Sequence, residues 1–197
     1  MSYKTILAVV GIAAMFAVGV FAQTAGTFKD SRDGKTYKTV KVGSQTWFAE
    51  NLNYAAKGSK CYGDKDANCA KYGRLYDWET ASKACPAGFH LPSDDEWTAL
   101  VNYAGGEEKA GTKLKSKAGW DGNRNGTNDF GWSAVPGGYG YSDGGFDLAG
   151  YNGVWWSATE GNADNAWYRS MYVNYENVDR GYDVKTFLNS VRCVMDE

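Results

Sequence analysis

The run DGNRNGTND places Asp121, Asn123, Asn125 and Asp129 at its first, third, fifth and ninth positions, with Gly126 at the sixth. Alternate side chains of a tight loop can turn their oxygens inward while a glycine allows the sharp bend, which is how a calcium loop gathers its ligands. The twelfth position, where such a loop needs a bidentate glutamate, is Trp132. With two formal charges the site would hold a weak structural calcium ion or nothing. The same residue types make Asx-turns and left-handed turn positions, and turn chemistry is the reading they favour. A shorter run, Asp64, Asp66 and Asn68, lacks the glycine and reads as a turn.

Aromatic side chains offer a second chemistry. The chain has 8 Trp, 14 Tyr and 25 Gly but only 3 Pro, a mixture suited to short strands, tight turns and aromatic burial. Tyr139, Tyr141 and Tyr151 lie in a glycine-rich stretch, where flat rings can stack on the C–H faces of sugars. Trp155 and Trp156 are neighbours on an expected strand and so point to opposite faces, which puts Trp156 forward as a ligand-facing ring. Most of the tryptophans are expected in the core.

Catalytic chemistry has little to work with. His90 is the sole histidine, which leaves histidine triads and multi-histidine metal sites without residues; its place before Leu91-Pro92 suits a structural role. No carboxylate pair stands out from the 23 acids, so no catalytic residue is assigned and a non-enzyme is expected. Arg74 reads as a structural hydrogen-bonding hub.

The cysteines Cys61, Cys69, Cys85 and Cys193 favour disulfides if the chain is exported. Three pairings are possible. Cys61 and Cys69 flank the turn-rich YGDKDAN and could close locally, which would leave Cys85 to join Cys193. In the chain-entropy model the short loop is worth ~2.6 kcal/mol and the long one ~4.8 kcal/mol.

The elements that must position these residues follow from local pattern. Lys4, the apolar run from Ile6 to Val20 and the small residue Ala22 read as a signal peptide over 1–22, so export to the cell surface or beyond is expected, with no membrane span after cleavage. Residues 23–34 read as a flexible leader and 35–197 as a single domain. Thr36 to Phe48 carries a hairpin signal around Gly43-Ser44. A first helix is expected over YDWETASKAC with Asp77 as N-cap. A second follows Ser93, whose pairing with Glu96 makes a capping box before Trp97, Leu100 and Val101, and Gly105-Gly106 stop it. Beyond Gly106 the pattern turns extended: GVWWSAT, NAWYRSMYVN and SVRCVMDE read as strands, and residues 119–153 as a long loop, a kind that is usually functional. A net charge of −2 without a basic block argues against nucleic acid.

Several ordered segments together, SRDGKTYKTVKVGSQTWFAENLNY, CAKYGRLYDWETASKACPAGFHLPSDDEW, FGWSAVPGGY, WWSAT and SVRCV, resemble the Fibrobacter succinogenes major paralogous domain family across most of the chain. More distantly, FHLPSDDEWTAL and SVRCV look like segments of the formylglycine-generating enzymes. That resemblance implies an α+β, C-type-lectin-like fold. Two helices would pack on short, mostly antiparallel strands, with a long Gly/aromatic-rich loop region over 107–153 as the ligand site and a Cys85–Cys193 bridge. Those enzymes use a cysteine pair near the end of the fold, where only Cys193 stands here. The expected function is an exported, non-catalytic binding module for polysaccharide or another surface ligand. The alternatives are a structural or assembly component that binds cell-envelope protein, and an enzyme of the formylglycine-generating type.

Overall fold

The computed structural model describes residues 25–197. The signal-peptide reading of 1–22 lies outside them. The chain is α+β. Strands β1 (Ala25–Lys29), β2 (Thr36–Val42) and β3 (Gln45–Phe48) form an antiparallel meander. Its second turn is the expected one: Gly43 sits at φ 63°, a left-handed value that glycine adopts without a Cβ clash. The leader reading is corrected from Ala25 onward, because β1 pairs with β2 along its whole length.

Helix α1 (Asp66–Tyr72), strand β4 (Leu75–Tyr76), the single turn α2 (Trp78–Ala81) and strand β5 (Phe89–His90) come next. Asp77 caps α2 as expected, its carboxylate accepting from the Thr80 amide. The expected helix over 76–85 nevertheless closes after that turn. The run read as a turn at Asp66 and Asn68 is instead the first half of α1. The capping box forms: Ser93 Oγ accepts from the Glu96 amide while the Glu96 carboxylate takes the Ser93 amide, opening α3 (Asp94–Tyr103).

A further helix, α4 (Glu107–Leu114), follows Gly106 directly, where extended chain was expected. Its surface is so polar that Ala110 and Leu114, at i and i+4, supply most of its apolar signal. Strands β6 (Tyr139–Gly140), β7 (Phe146–Asp147), β8 (Asn152–Glu160), β9 (Asn165–Tyr172), β10 (Asp179–Val184), β11 (Asn189–Ser190) and β12 (Val194–Met195) complete the fold. The strands form two sheets of five, ordered β1-β2-β3-β12-β5 and β10-β9-β8-β11-β4, besides the two-stranded β6-β7. All the named pairs are antiparallel except β8 with β11. SVRCVMDE, expected as one strand, is split: β11 belongs to one sheet and β12 to the other, with Val191, Arg192 and Cys193 crossing between them.

The core is aromatic. Trp47, Trp97, Trp132 and Trp155 pack as a cluster, with neighbouring rings 5.1 to 6.4 Å apart. On the other side Tyr37, Phe48, Tyr76, Phe89 and Trp156 make a second apolar layer. Six of the eight tryptophans are buried. Disulfides join Cys61 to Cys69 and Cys85 to Cys193, the pairing implied above, and no cysteine is free. Among the described residues no helix is long and apolar enough to cross a membrane.

Candidate functional site

Tyr139 and Tyr141 come together on β6 and the turn after it. Their hydroxyls lie 3.2 Å apart and share a hydrogen bond, which raises the Tyr139 phenol above its usual range, with burial adding to the effect. The Tyr139 ring lies parallel to Phe187 at 6.4 Å between centroids. Tyr141 stands edge-on to both, at 5.3 and 5.1 Å. Offset and edge-to-face ring pairs of this kind are attractive beyond the area they bury.

Backbone pairing fixes this group. Gly140 and Leu188 exchange reciprocal amide-to-carbonyl bonds of 2.8 Å, which brings Phe187 beside the two tyrosines. Gly138 has φ +66°, and a Cβ there would stand 2.4 Å from the Asp147 carbonyl oxygen; only glycine lets β7 return so close.

Beside the rings opens a cleft of about 490 Å³ lined by Tyr141, Phe146, Lys60, Asp77, Glu79 and Lys185 among others. Its ring faces suit apolar surface and its mixed charges suit hydroxyls. Asp77 is held by the Thr80 amide and hydroxyl at 2.8 and 3.0 Å. Lys185 Nζ bonds Glu160 Oε1 at 3.0 Å and the Ala163 carbonyl at 2.9 Å, and rests 4.6 Å from the Trp78 ring centroid. These two wall positions are therefore fixed without a ligand. Sequence reasoning missed Lys60, Lys185, Glu79 and Phe187 as site residues and read Asp77 as a cap only. Phe187 and Lys185 follow a polar, exposed strand whose period gave no sign of where it ends.

The expected role of Trp156 is corrected. It is 0% exposed, and its indole N–H donates to the Tyr76 carbonyl at 2.8 Å. Trp155 is equally buried and donates to Asn51 Oδ1 at 2.8 Å. Strand alternation does send the two rings to opposite faces, but both faces of this sheet are covered. Tyr151 is 42% exposed and lies outside the cleft; the Asp121 carboxylate accepts from its hydroxyl and raises its pKa.

That contact already shows what the Asp/Asn loop is doing. Asn125 Oδ1 accepts from the Trp120 amide at 3.1 Å, and Asn123 takes a left-handed φ of 58°, both turn chemistry. The amides of Thr127, Asp129 and Ala134 then donate to the carbonyls of Thr112, Lys113 and Leu114, the groups that the last turn of α4 leaves without helical partners. Gly126 is needed for that approach: a Cβ would fall 2.4 Å from the Thr112 carbonyl oxygen and 2.5 Å from that of Lys115. Among the described residues no three His, Cys, Asp or Glu side chains gather as a metal-binding group.

The hydrogen-bonding hub is Arg192 rather than Arg74. The Arg192 side chain is fully buried and donates to Asn51 Oδ1 and to the carbonyls of Phe48, Trp132 and Ser133. The Arg74 side chain donates to Cys61 Sγ at 3.6 Å, and among the described residues it makes no comparable set of bonds. His90 has the structural place expected, its ring nitrogens 2.6 Å from Asp196 and 2.8 Å from Glu96.

Residues 40–195 match the family described as the Fibrobacter succinogenes major domain. The match covers most of the chain, and the protein belongs to that family. No curated protein and no solved structure matches the chain significantly.

Proposed function

For this member of the family, we propose an exported, non-catalytic binding module that takes polysaccharide in the cleft beside Tyr139, Tyr141 and Phe187. The observation that carries the reading is the cleft itself: about 490 Å³, in the range of small-ligand sites, with Tyr141 and Phe146 in its wall next to Asp77, Glu79, Lys60 and Lys185. Rings provide stacking faces, and carboxylates and ammonium groups provide acceptors and donors for sugar hydroxyls. The lectin-like resemblance of the sequence supports the same side of the molecule. The bridging of all four cysteines supports the non-catalytic reading over a formylglycine-generating one, and disulfides suit an oxidising compartment.

The test is retention of the purified chain on a panel of insoluble and arrayed glycans. Tyr141→Ala should weaken retention about threefold to tenfold, the worth of an aromatic contact, with the fold unchanged by near-ultraviolet circular dichroism. If the intact chain ignores the whole panel, the sugar assignment is wrong.

A second reading, an assembly component that binds envelope protein, is favoured by β10. It is an edge strand whose Tyr182 is 59% exposed, and unpaired strand edges accept further strands. Capture of envelope proteins without glycan retention would favour it.

A further inference from the structure

A second cleft, of about 450 Å³, lies between the start of β2, the residues after β3, the end of α1 and the loop segment 131–135. Its chemistry differs from that of the aromatic cleft. Lys35, Lys38 and Lys71 stand around it, and Glu50 is its one acidic lining residue. Glu50 is turned back on the fold, its Oε2 accepting from the Lys38 amide at 2.9 Å.

The three ammonium groups are not equally engaged. Lys35 Nζ bonds Asp33 and the Asn53 carbonyl, both at 2.8 Å. Lys71 rests its Nζ 4.6 Å from the Tyr72 ring centroid. Neither Lys38 nor Lys71 joins an ion pair among the described residues, and both are exposed.

Behind Asn51 and Ser133, which line the cleft, lies the buried Arg192 guanidinium, bonded to the Asn51 side chain at 2.9 Å and the Ser133 carbonyl at 3.2 Å. Burial pushes its pKa down, and Glu50 is the acid whose charge pulls it back up. Three lysines and one carboxylate thus line the cleft, with Lys35 offset by Asp33 and the Arg192 guanidinium behind the wall, in a chain whose net charge is −2. A cleft with low-dielectric walls concentrates such a field on whatever enters it. Thr36, Asn53 and Ser133 add hydroxyl and amide groups to the lining.

We propose that this cleft is a second ligand site, for a carboxylate-bearing sugar, with Lys38 and Lys71 receiving the carboxylate and the hydroxyl and amide groups receiving the ring hydroxyls. The site is independent of the aromatic cleft. Both lysines are surface residues whose truncation leaves the core intact.

Titration of the intact chain with trigalacturonate, followed by calorimetry and amide chemical shifts, should show binding that weakens with added salt. In the Lys38→Ala/Lys71→Ala double variant it should weaken about tenfold or more, the size of one lost charge-assisted hydrogen bond. Tyr141→Ala should leave it unchanged, so failure here and failure of the aromatic site are told apart. The proposal is overturned if trigalacturonate does not bind at millimolar concentration, or if the double variant binds it undiminished. It is equally overturned if neutral cellotriose binds as tightly, which would make the charge irrelevant, or if inorganic phosphate does, which would make the site a simple anion site.

Discussion

Arg192 sits over the ring of Trp132, its guanidinium carbon 3.9 Å from the ring centroid, and joins no ion pair among the described residues. Its charge is dispersed instead over carbonyl oxygens from the end of β3 and from the loop, and over Asn51. Removing it would leave the carbonyls of Phe48, Trp132 and Ser133 short of a donor in the interior. At roughly 1–3 kcal/mol for each buried acceptor left unmet, Arg192→Met should cost about 3 kcal/mol or more. Urea unfolding measures this; a loss below about 1 kcal/mol would mean that water replaces the guanidinium.

His90 clamps the C-terminal segment to the start of α3. Burial works against its protonated form, but the hydrogen bonds that its ring N–H groups donate to the Asp196 and Glu96 carboxylates outweigh it and raise the pKa above the ordinary 6.5. A base whose folded pKa is raised contributes stability that is complete below the unfolded value and is lost as pH rises through the folded one. The unfolding midpoint should therefore fall as pH is raised from about 6.5 toward neutrality and beyond. As His90 is the sole histidine, His90→Gln should flatten the profile in that window. An unchanged slope in the variant would refute the clamp.

The two bridges should differ in weight. Cys85–Cys193 closes a separation of 108 residues and Cys61–Cys69 one of 8. On the loop-entropy model their removal should cost ~4.8 and ~2.6 kcal/mol respectively. Paired serine variants compared by urea midpoint test the order, and the native chain should show no titratable thiol.

Gly126→Ala drives a methyl group against two backbone carbonyls and should destabilise by about 1–3 kcal/mol, the usual range for overpacking. Gly122→Ala is the comparison. Its φ is also left-handed, at +60°, but the nearest atom is the flexible Arg124 Nε at 3.8 Å, so the cost should stay near the ~1 kcal/mol of conformation alone. A cap on α4 is indifferent to calcium, so thermal midpoints with calcium and with EDTA should coincide; a calcium-dependent rise would restore the metal reading.

Elements announced by local chemistry were legible in the sequence. The Ser93 capping box, the Gly43 turn and the Asp77 cap each declare themselves within four residues. Helix α4 was not, because its face is recognised by neighbours far away: Gly111 packs so closely on the 176–177 backbone that a Cβ would lie 2.3 Å from the Asn177 carbonyl oxygen. The burial of Trp156 was hidden for a similar reason. Alternation says that two adjacent rings face opposite ways, but whether the second face is covered depends on where Tyr76 and Phe48 return to meet it. The meeting of Tyr139 and Tyr141 was legible because they share a short strand and the turn after it, whereas Lys60, Glu79 and Lys185 reach the cleft that Tyr141 lines from three distant parts of the chain.

Residues 126–134 are held from two sides, by the closing carbonyls of α4 and by the buried guanidinium of Arg192. The long segment between the helices and the last strands is thus irregular in shape but tied down at many points. A guest entering the cleft that Gly131, Ser133 and Val135 help to line would meet a receptor assembled beforehand. Little freedom of the chain would be surrendered on association, and the vacant and occupied forms should superimpose along this stretch.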